Sequence, residues 1–335
     1  MKSWKTGLAA LALGTAMGLI GATGAVAKTE LKLATLAPEG TPWYTWVAKW
    51  RDNVAAASNG EMELVIFPSA QLGNEWETWT KVQRGRIDIG VFSAAVMAEK
   101  VPPISLMSTP FLFDKKETIY CVYDTEMRDT FTALLEQDFK VIEWAETGWA
   151  QIYAQDDLSN VADAKGYKAR VAPHAMSKTL WSAAQADAVE IPFADTPAAL
   201  QTGLVRSGEA TAISFVAFGL MKVAPHMMLT QHMHQAGSLL MGKKTWEKLS
   251  KEEQKILVEA VPDLAELRTG IDQMEQFMIG KAKEVGAFVH PLTDDQRAAW
   301  KAAVEPKWPE FVDSLGDEAK ALWPQVLAAK ARCGE

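Results

Sequence analysis

The chain is poor in cysteine, in basic charge and in long apolar runs. Two cysteines, Cys121 and Cys333, occur among 335 residues. That excludes a disulfide-dense scaffold and a cysteine-built metal cage. Lys and Arg total 34 against 42 Asp and Glu, a formal net charge of -8. This balance argues against nucleic acid or an anionic membrane surface as a partner. It leaves an anionic ligand open, because one local Arg overrides the global charge. After the first few tens of residues no apolar run approaches the roughly 20 residues needed to span a bilayer. No G-x-S-x-G, H-E-x-x-H or paired-Cys motif is present, so the reading is a non-enzyme without a cofactor. The stretch Gly237–Lys244 comes within one residue of a P-loop, but Lys244 stands where a Ser or Thr must hold Mg²⁺.

What is present starts at the N-terminus. Lys2 and Lys5 precede an uncharged stretch from Gly7 to Ile20, and Ala25-Val26-Ala27 gives an A-x-A site. This predicts a secretory signal cleaved after Ala27 and a periplasmic destination. No cysteine lies near that site to carry a lipid anchor. Removing Lys2 and Lys5 makes the mature chain more acidic. It keeps roughly 300 residues, too many for one core, so two domains are expected. The 13 tryptophans are large amphipathic side chains, suited to core packing and to lining ligand clefts. In an oxidising compartment Cys121 and Cys333 either pair, tying the C-terminus to the first half, or remain a buried and a loose thiol.

Patterning predicts an α/β chain. Leu31–Thr35 alternates as a strand, and Pro38-Glu39-Gly40 turns. Thr41 caps a helix with Pro42 at its first position and Trp43, Trp46, Val47 and Trp50 on one face. Strands over Glu63–Phe67 and Ile87–Phe92 flank a helix over about Asn74–Arg84. This alternation implies a mostly parallel sheet with covered faces. Lys140–Glu146, Gln151–Ala154, Lys168–Val171 and Ala210–Phe215 read as further strands, Met176–Gln185 and the segment from Thr196 as helices. Leu239–Met241 begins a return segment. Ser250 with Glu253 forms a capping box, and Glu266–Val285 a long helix. Two α/β lobes joined by several crossings make a hinged clamp, with a ligand between them at the carboxyl ends of strands.

Five ordered segments resemble the solute receptors of TRAP (tripartite ATP-independent periplasmic) transporters, the DctP-type family. They are Phe67-Pro68-Ser69-Ala70-Gln71-Leu72-Gly73-Asn74-Glu75, Arg84-Gly85-Arg86-Ile87-Asp88-Ile89-Gly90, Pro110-Phe111-Leu112-Phe113, Lys165–Val171 and Ala199–Val205. The resemblance implies a two-lobed solute-binding fold with a hinge and a long interdomain helix. Lobe I is then 28–150 with 237–270, lobe II 151–236 with 285–335, and the spanning helix 266–285. It implies capture of an organic acid, held by Arg170, and delivery to a membrane permease. An Arg suits that task because its planar fork gives a carboxylate two charge-assisted hydrogen bonds. Some relatives of this kind also work with helical-repeat lipoproteins.

Two departures bear on the ligand. Ala150 stands where the family commonly has a second Arg, and Ala210 where it has an Asn that hydrogen-bonds the ligand. A carboxylate with few partners leaves lone pairs unsatisfied, at about 1–3 kcal/mol each. That favours a monocarboxylate with an apolar body, or a lipid-like ligand, over a dicarboxylate or sugar acid.

Further candidate contacts are Trp43, with neighbouring Tyr44, after the first strand; Asn74 and Glu75 at a helix start; and Phe92 and Ser93 at a strand end. Trp149 on the interdomain strand, and Ser214 and Phe215 after the altered motif, complete the set. Asn74 and Glu75 serve equally as helix caps. His232 and His234, two apart and near His226, Met227, Met228 and Met233, carry an alternative reading as a soft-metal, copper-like carrier. Packed histidines on an interdomain strand are the plainer reading. Presentation of ligand to a membrane sensor is another alternative.

Overall fold

The computed structural model describes Met1 and residues 28–335. The signal segment and its cleavage site lie outside the described residues. Among the described residues no helix is long and apolar enough to cross a membrane.

Nine strands of the described residues form one mixed sheet: β1 (Thr29–Ala34), β2 (Met62–Phe67), β3 (Ile89–Ser93), β4 (Phe139–Ala154), β5 (Lys168–Val171), β6 (Asp187–Glu190), β7 (Ser207–Thr211), β8 (His226–Gly242) and β9 (Phe288–Pro291). Their order is β2-β1-β3-β8-β4-β7-β5-β6, with β9 also on β8. β1 pairs in parallel with β2 and β3, and β5 with β6 and β7, so each lobe carries a parallel unit. The first covering helix, Pro42–Ala57, starts as its sequence predicts: the Thr41 side chain accepts from Tyr44 N and Pro42 follows. Trp46, Val47, Trp50 and Val54 form its buried face, and the Trp50 indole donates to Leu257 O at 3.0 Å.

β4 and β8 bind the lobes together. They pair antiparallel from Phe139↔Gly242 to Ala154↔His226, with register shifts at 141/143, 146/148 and 150/152. Val141 and Trp144 at one end of β4 pack with Phe92 and Phe131, whereas Ile152 and Ala154 at the other pack with Trp181 and Trp300. The reading of two short strands missed one long one, because bulges break its alternation and most of its second half is buried on both faces. The helix Leu264–Glu284 makes a third crossing. Leu267 and Ile271 pack with Leu33 and Trp50 of the first lobe, and Ala282 packs with Tyr153 and Phe215 of the second.

At the middle bulge Gly148 has φ +96°, and an added Cβ would sit 3.1 Å from Ile271 Cγ2 of the spanning helix. The positive φ favours glycine, and a Cβ would also need Ile271 to give by a few tenths of an ångström. Gly148→Ala is expected to lower stability by about 1 kcal/mol or more, read as a shift in the denaturation midpoint at unchanged slope.

The second lobe departs from the expected strand over Ala210–Phe215. β7 ends at Thr211, whose hydroxyl accepts from Ser214 N at 3.1 Å and starts the short helix Ala212–Ala217. Ser214 and Phe215 are therefore helical. The tail 285–335 divides its contacts. Trp300 and Val304 pack with Trp181 of the second lobe, while Phe311, Val312, Ala319, Val326 and Ala329 pack with Ile104, Val122 and Phe131 of the first. Cys333 is disulfide-bonded to Cys121, across 212 residues.

Candidate functional site

Strand ends from both lobes converge on a cleft with two adjoining compartments. The first, about 660 Å³, is largely apolar: Trp43, Trp46 and Val47 of the first helix, Phe92 of β3, Leu36 after β1, and Phe218 of the second lobe. The second, about 670 Å³, is polar and includes Arg170, His174, Glu209, Gln235 and Thr147. Leu36, Glu75, Ser93 and Thr147 line both, so the compartments are continuous.

Arg170 sits on β5 and is 3% exposed. Its Nε donates to Ile191 O at 2.9 Å, and the guanidinium lies 5.5 Å from the Phe193 ring centre. Among the described residues neither terminal nitrogen is engaged by a protein acceptor. Burial pushes this guanidinium below its ordinary value, against the pull of Tyr153 and Glu209. A cation so placed lacks the close carboxylate that burial normally demands.

Its neighbours supply donors and acceptors without a second cation. His174 Nδ1 accepts from Ser177 N at 3.2 Å, which leaves the ring N–H on Nε2. Burial, with Arg170 and Lys178, pushes His174 down to about 3, so it is neutral at physiological pH. Burial pushes Glu209 up; its Oε2 accepts from Trp181 Nε1 at 3.2 Å and its Oε1 has no partner among the described residues. Glu75 is also pushed up by burial, against hydrogen bonds from Ser93 N at 2.6 Å and Ser93 Oγ at 2.9 Å.

The structure thus brings together Arg170, Trp43, Glu75, Phe92 and Ser93 around one cleft. Asn74 caps the helix Glu75–Gln83, accepting from Glu77 N at 3.0 Å, and does not line the compartments. Nor does Trp149, which packs edge-on against His234 at 5.2 Å, nor Tyr44. Phe215 stacks on Tyr153, and Ser214 serves the turn into its helix. His174, Glu209, Phe193 and Phe218 were not singled out from the sequence. Ala210, standing where the family has an Asn, does line the polar compartment.

The histidines that carried the metal alternative are packed. His232 Nδ1 and Thr230 Oγ1 are 2.7 Å apart, and burial pushes both His232 and His234 down to about 3. Among the described residues no group of three His, Cys, Asp or Glu side chains could hold a metal ion.

Comparison with known proteins agrees with this architecture. The sequence profile of bacterial extracellular solute-binding protein family 7, DctP, matches residues 33–314. The chain is 26% identical to the 2,3-diketo-L-gulonate-binding periplasmic protein of Escherichia coli over 82% of this chain and 81% of that one. It is 23% identical to the C4-dicarboxylate-binding periplasmic protein of Rhodobacter capsulatus over 98% of both. A TRAP periplasmic solute-binding protein from Desulfovibrio salexigens, solved with bound orotic acid, superposes with a TM-score of 0.87 at 25% identity, covering 91% of this chain and 100% of that one. The helical-repeat lipoprotein partner finds no support in these similarities. Fold and family are those of receptors, not enzymes, and TRAP receptors are periplasmic. The chain belongs to bacterial extracellular solute-binding protein family 7, the DctP-type receptors of TRAP transporters.

Proposed function

We propose that this receptor captures a monocarboxylate with an apolar body and delivers it to a membrane permease. The observation that carries the reading is the buried Arg170 fork, unpaired at its terminal nitrogens, at the polar end of a cleft whose other end is apolar. A carboxylate there meets two parallel charge-assisted hydrogen bonds and supplies the missing counter-charge. The body of the ligand then lies toward Trp43, Phe92 and Phe218, where burial contributes roughly 25 cal/mol per Å² of apolar surface. A second carboxylate has no second Arg to meet, and it would face Glu75 and Glu209 instead. Relatives and structural neighbours named for C4-dicarboxylates, glucuronate or orotic acid show that acids are taken on this fold. Arg170 supports the acid, and the Trp43–Phe218 compartment distinguishes this chain's body of choice.

The test begins with mass spectrometry of ligand released from purified, denatured protein. Calorimetry then compares the ligand found with its methyl ester and with a dicarboxylate of equal length. The expected result is an acid with one carboxyl group, bound more tightly than either comparator. Tighter binding of the ester or of the dicarboxylate would overturn the reading.

A further inference from the structure

The lobes meet where β4 slips register between Glu146 and Gly148. Glu146 is 3% exposed. Tyr120 OH donates to its Oε1 at 3.2 Å. Its Oε2 is 3.5 Å from Arg268 Nε of the spanning helix and 3.6 Å from His234 Nε2 of β8. None of these three facing atoms has a hydrogen-bond partner among the described residues. Arg268 is held elsewhere: it grips Asp124 with both terminal nitrogens, at 2.6 and 2.9 Å, and lies 3.7 Å over the Tyr120 ring.

Besides Glu75, which lines the same compartment, the groups that face Glu146 come from the elements packed on it. They are Lys116 and Tyr120 from the helix Lys116–Cys121, and Tyr123 and Asp124 from the turn that follows. His234 comes from β8 and Arg268 from the spanning helix. Asp272, also on that helix, pairs with Lys116. Next in sequence, Thr147 accompanies Gln235, their Oγ1 and Oε1 3.1 Å apart, and both line the Arg170 compartment. Glu146 itself lines the apolar compartment beside Thr147, so the lobe crossing and the ligand seat share it.

We propose that the lobe crossing is proton-sensitive: Glu146, wedged between Tyr120, His234 and Arg268 at the register slip, makes the described arrangement the protonated one and loosens it when ionised. The consequence for ligand capture rests on the cleft reading given above, whereas the titration of the crossing is read in the ligand-free protein.

The sign follows from linkage. Burial pushes Glu146 up to about 7 here, against Arg268, Tyr120 and Lys116. An arrangement that lets water reach the carboxylate returns it to its ordinary value. Stability of the present crossing is therefore full below the ordinary carboxylate range and is lost as pH rises through about 7. Between pH 6 and 8 the opening equilibrium rises about tenfold.

Hydrogen exchange on the ligand-free mature protein tests this, in peptides spanning residues 143–150 and 232–238, corrected for the intrinsic pH dependence of amide exchange. The expected result is protection about tenfold lower at pH 8 than at pH 6, and equal protection at both in Glu146→Gln. Tyr120→Phe removes a donor to the carboxylate and moves the midpoint to higher pH. A flat wild-type profile overturns the proposal, as does a Glu146→Gln profile that still titrates. If Glu146→Gln does not fold, an unmoved midpoint in Tyr120→Phe overturns it as well. The measurement uses no ligand, so its failure leaves the Arg170 reading standing, and loss of that reading leaves the hinge result intact.

Discussion

Arg170→Ala is expected to weaken binding of the carboxylate ligand by about 3 kcal/mol, roughly a hundredfold. Truncating one member of a buried charge pair leaves the other charge desolvated and unpaired, which is why the loss is large. The ligand-free protein gives the contrasting readout. Arg170 is a cation burial already disfavours, and its one hydrogen bond among the described residues, from Nε to Ile191 O, is an anchor for the fork. Removing it is expected to change the unfolding temperature by no more than a few degrees, on the scale of about 2–4 °C per kcal/mol. Arg170→Lys separates charge from shape. The ammonium keeps the charge but loses the fork, the Ile191 anchor and the Phe193 contact, so affinity is expected to fall by about tenfold. Calorimetry with the ligand identified by mass spectrometry checks all three values. Affinity unchanged in Arg170→Ala, or a collapse of ligand-free stability with binding intact, would make Arg170 a structural residue.

Where a local rule decides an element, the sequence was legible. Thr41 with Pro42, Asn74 before Glu75, and the Ser250–Glu253 box each start a helix where expected. β5 falls on the expected Lys168–Val171. Thr196, expected as a cap, is already the first helical residue, a difference of one position. What local rules could not show were the crossings. β4 and β8 run through both lobes, and their bulges reset the two-residue period three times. A strand buried on both faces also gives no alternation to say which side a residue takes, so Trp149 could be set on the strand but not assigned to core or cleft.

The cleft was legible in the same partial way. Ser93, Phe92 and Trp43 follow from the rule that ligands sit beyond strand carboxyl ends. His174 and Phe193 obey the same geometry, but one lies in the loop after β5 and the other opens a single helical turn after β6, where no periodicity marks them. Glu209 hid in a strand that the reading began one residue later, at Ala210. Its signal was present: an acidic residue between Gly208 and Ala210 in a fully buried strand needs a partner, and Trp181 is one.

Replacing both Cys121 and Cys333 with Ser is expected to destabilise the protein by about 3 kcal/mol, within the usual 2–4 kcal/mol for a native disulfide. Both are replaced so that no free thiol remains to form new bonds. The bond closes a loop of 212 residues, for which chain entropy alone sets an upper figure of about 5 kcal/mol. Less is expected because the C-terminal helix Asp317–Arg332 keeps other anchors without it. Ala319, Val326 and Ala329 stay in the first-lobe core, and Arg332 reaches Glu126 at 2.6 Å. The loss should therefore be uneven. Cys333 lies one residue past that helix, and Cys121 ends the helix that carries Lys116 and Tyr120. Exchange protection should fall most in 317–335 and 116–126 and least in β2, whose buried residues belong to a different core from the one Cys333 packs against. Thermal unfolding with and without reductant gives the global value, and peptide-resolved exchange gives its distribution. An unfolding temperature that reductant does not move, with the bond shown to be reduced, would mean that the packing of Ala319, Val326 and Ala329 and the Arg332–Glu126 pair fix the tail without it. The helix that carries Tyr120 would then be tied to the C-terminus through non-covalent contacts such as Thr118 Oγ1 donating to Cys333 O and Arg332 reaching Glu126 in the turn that follows.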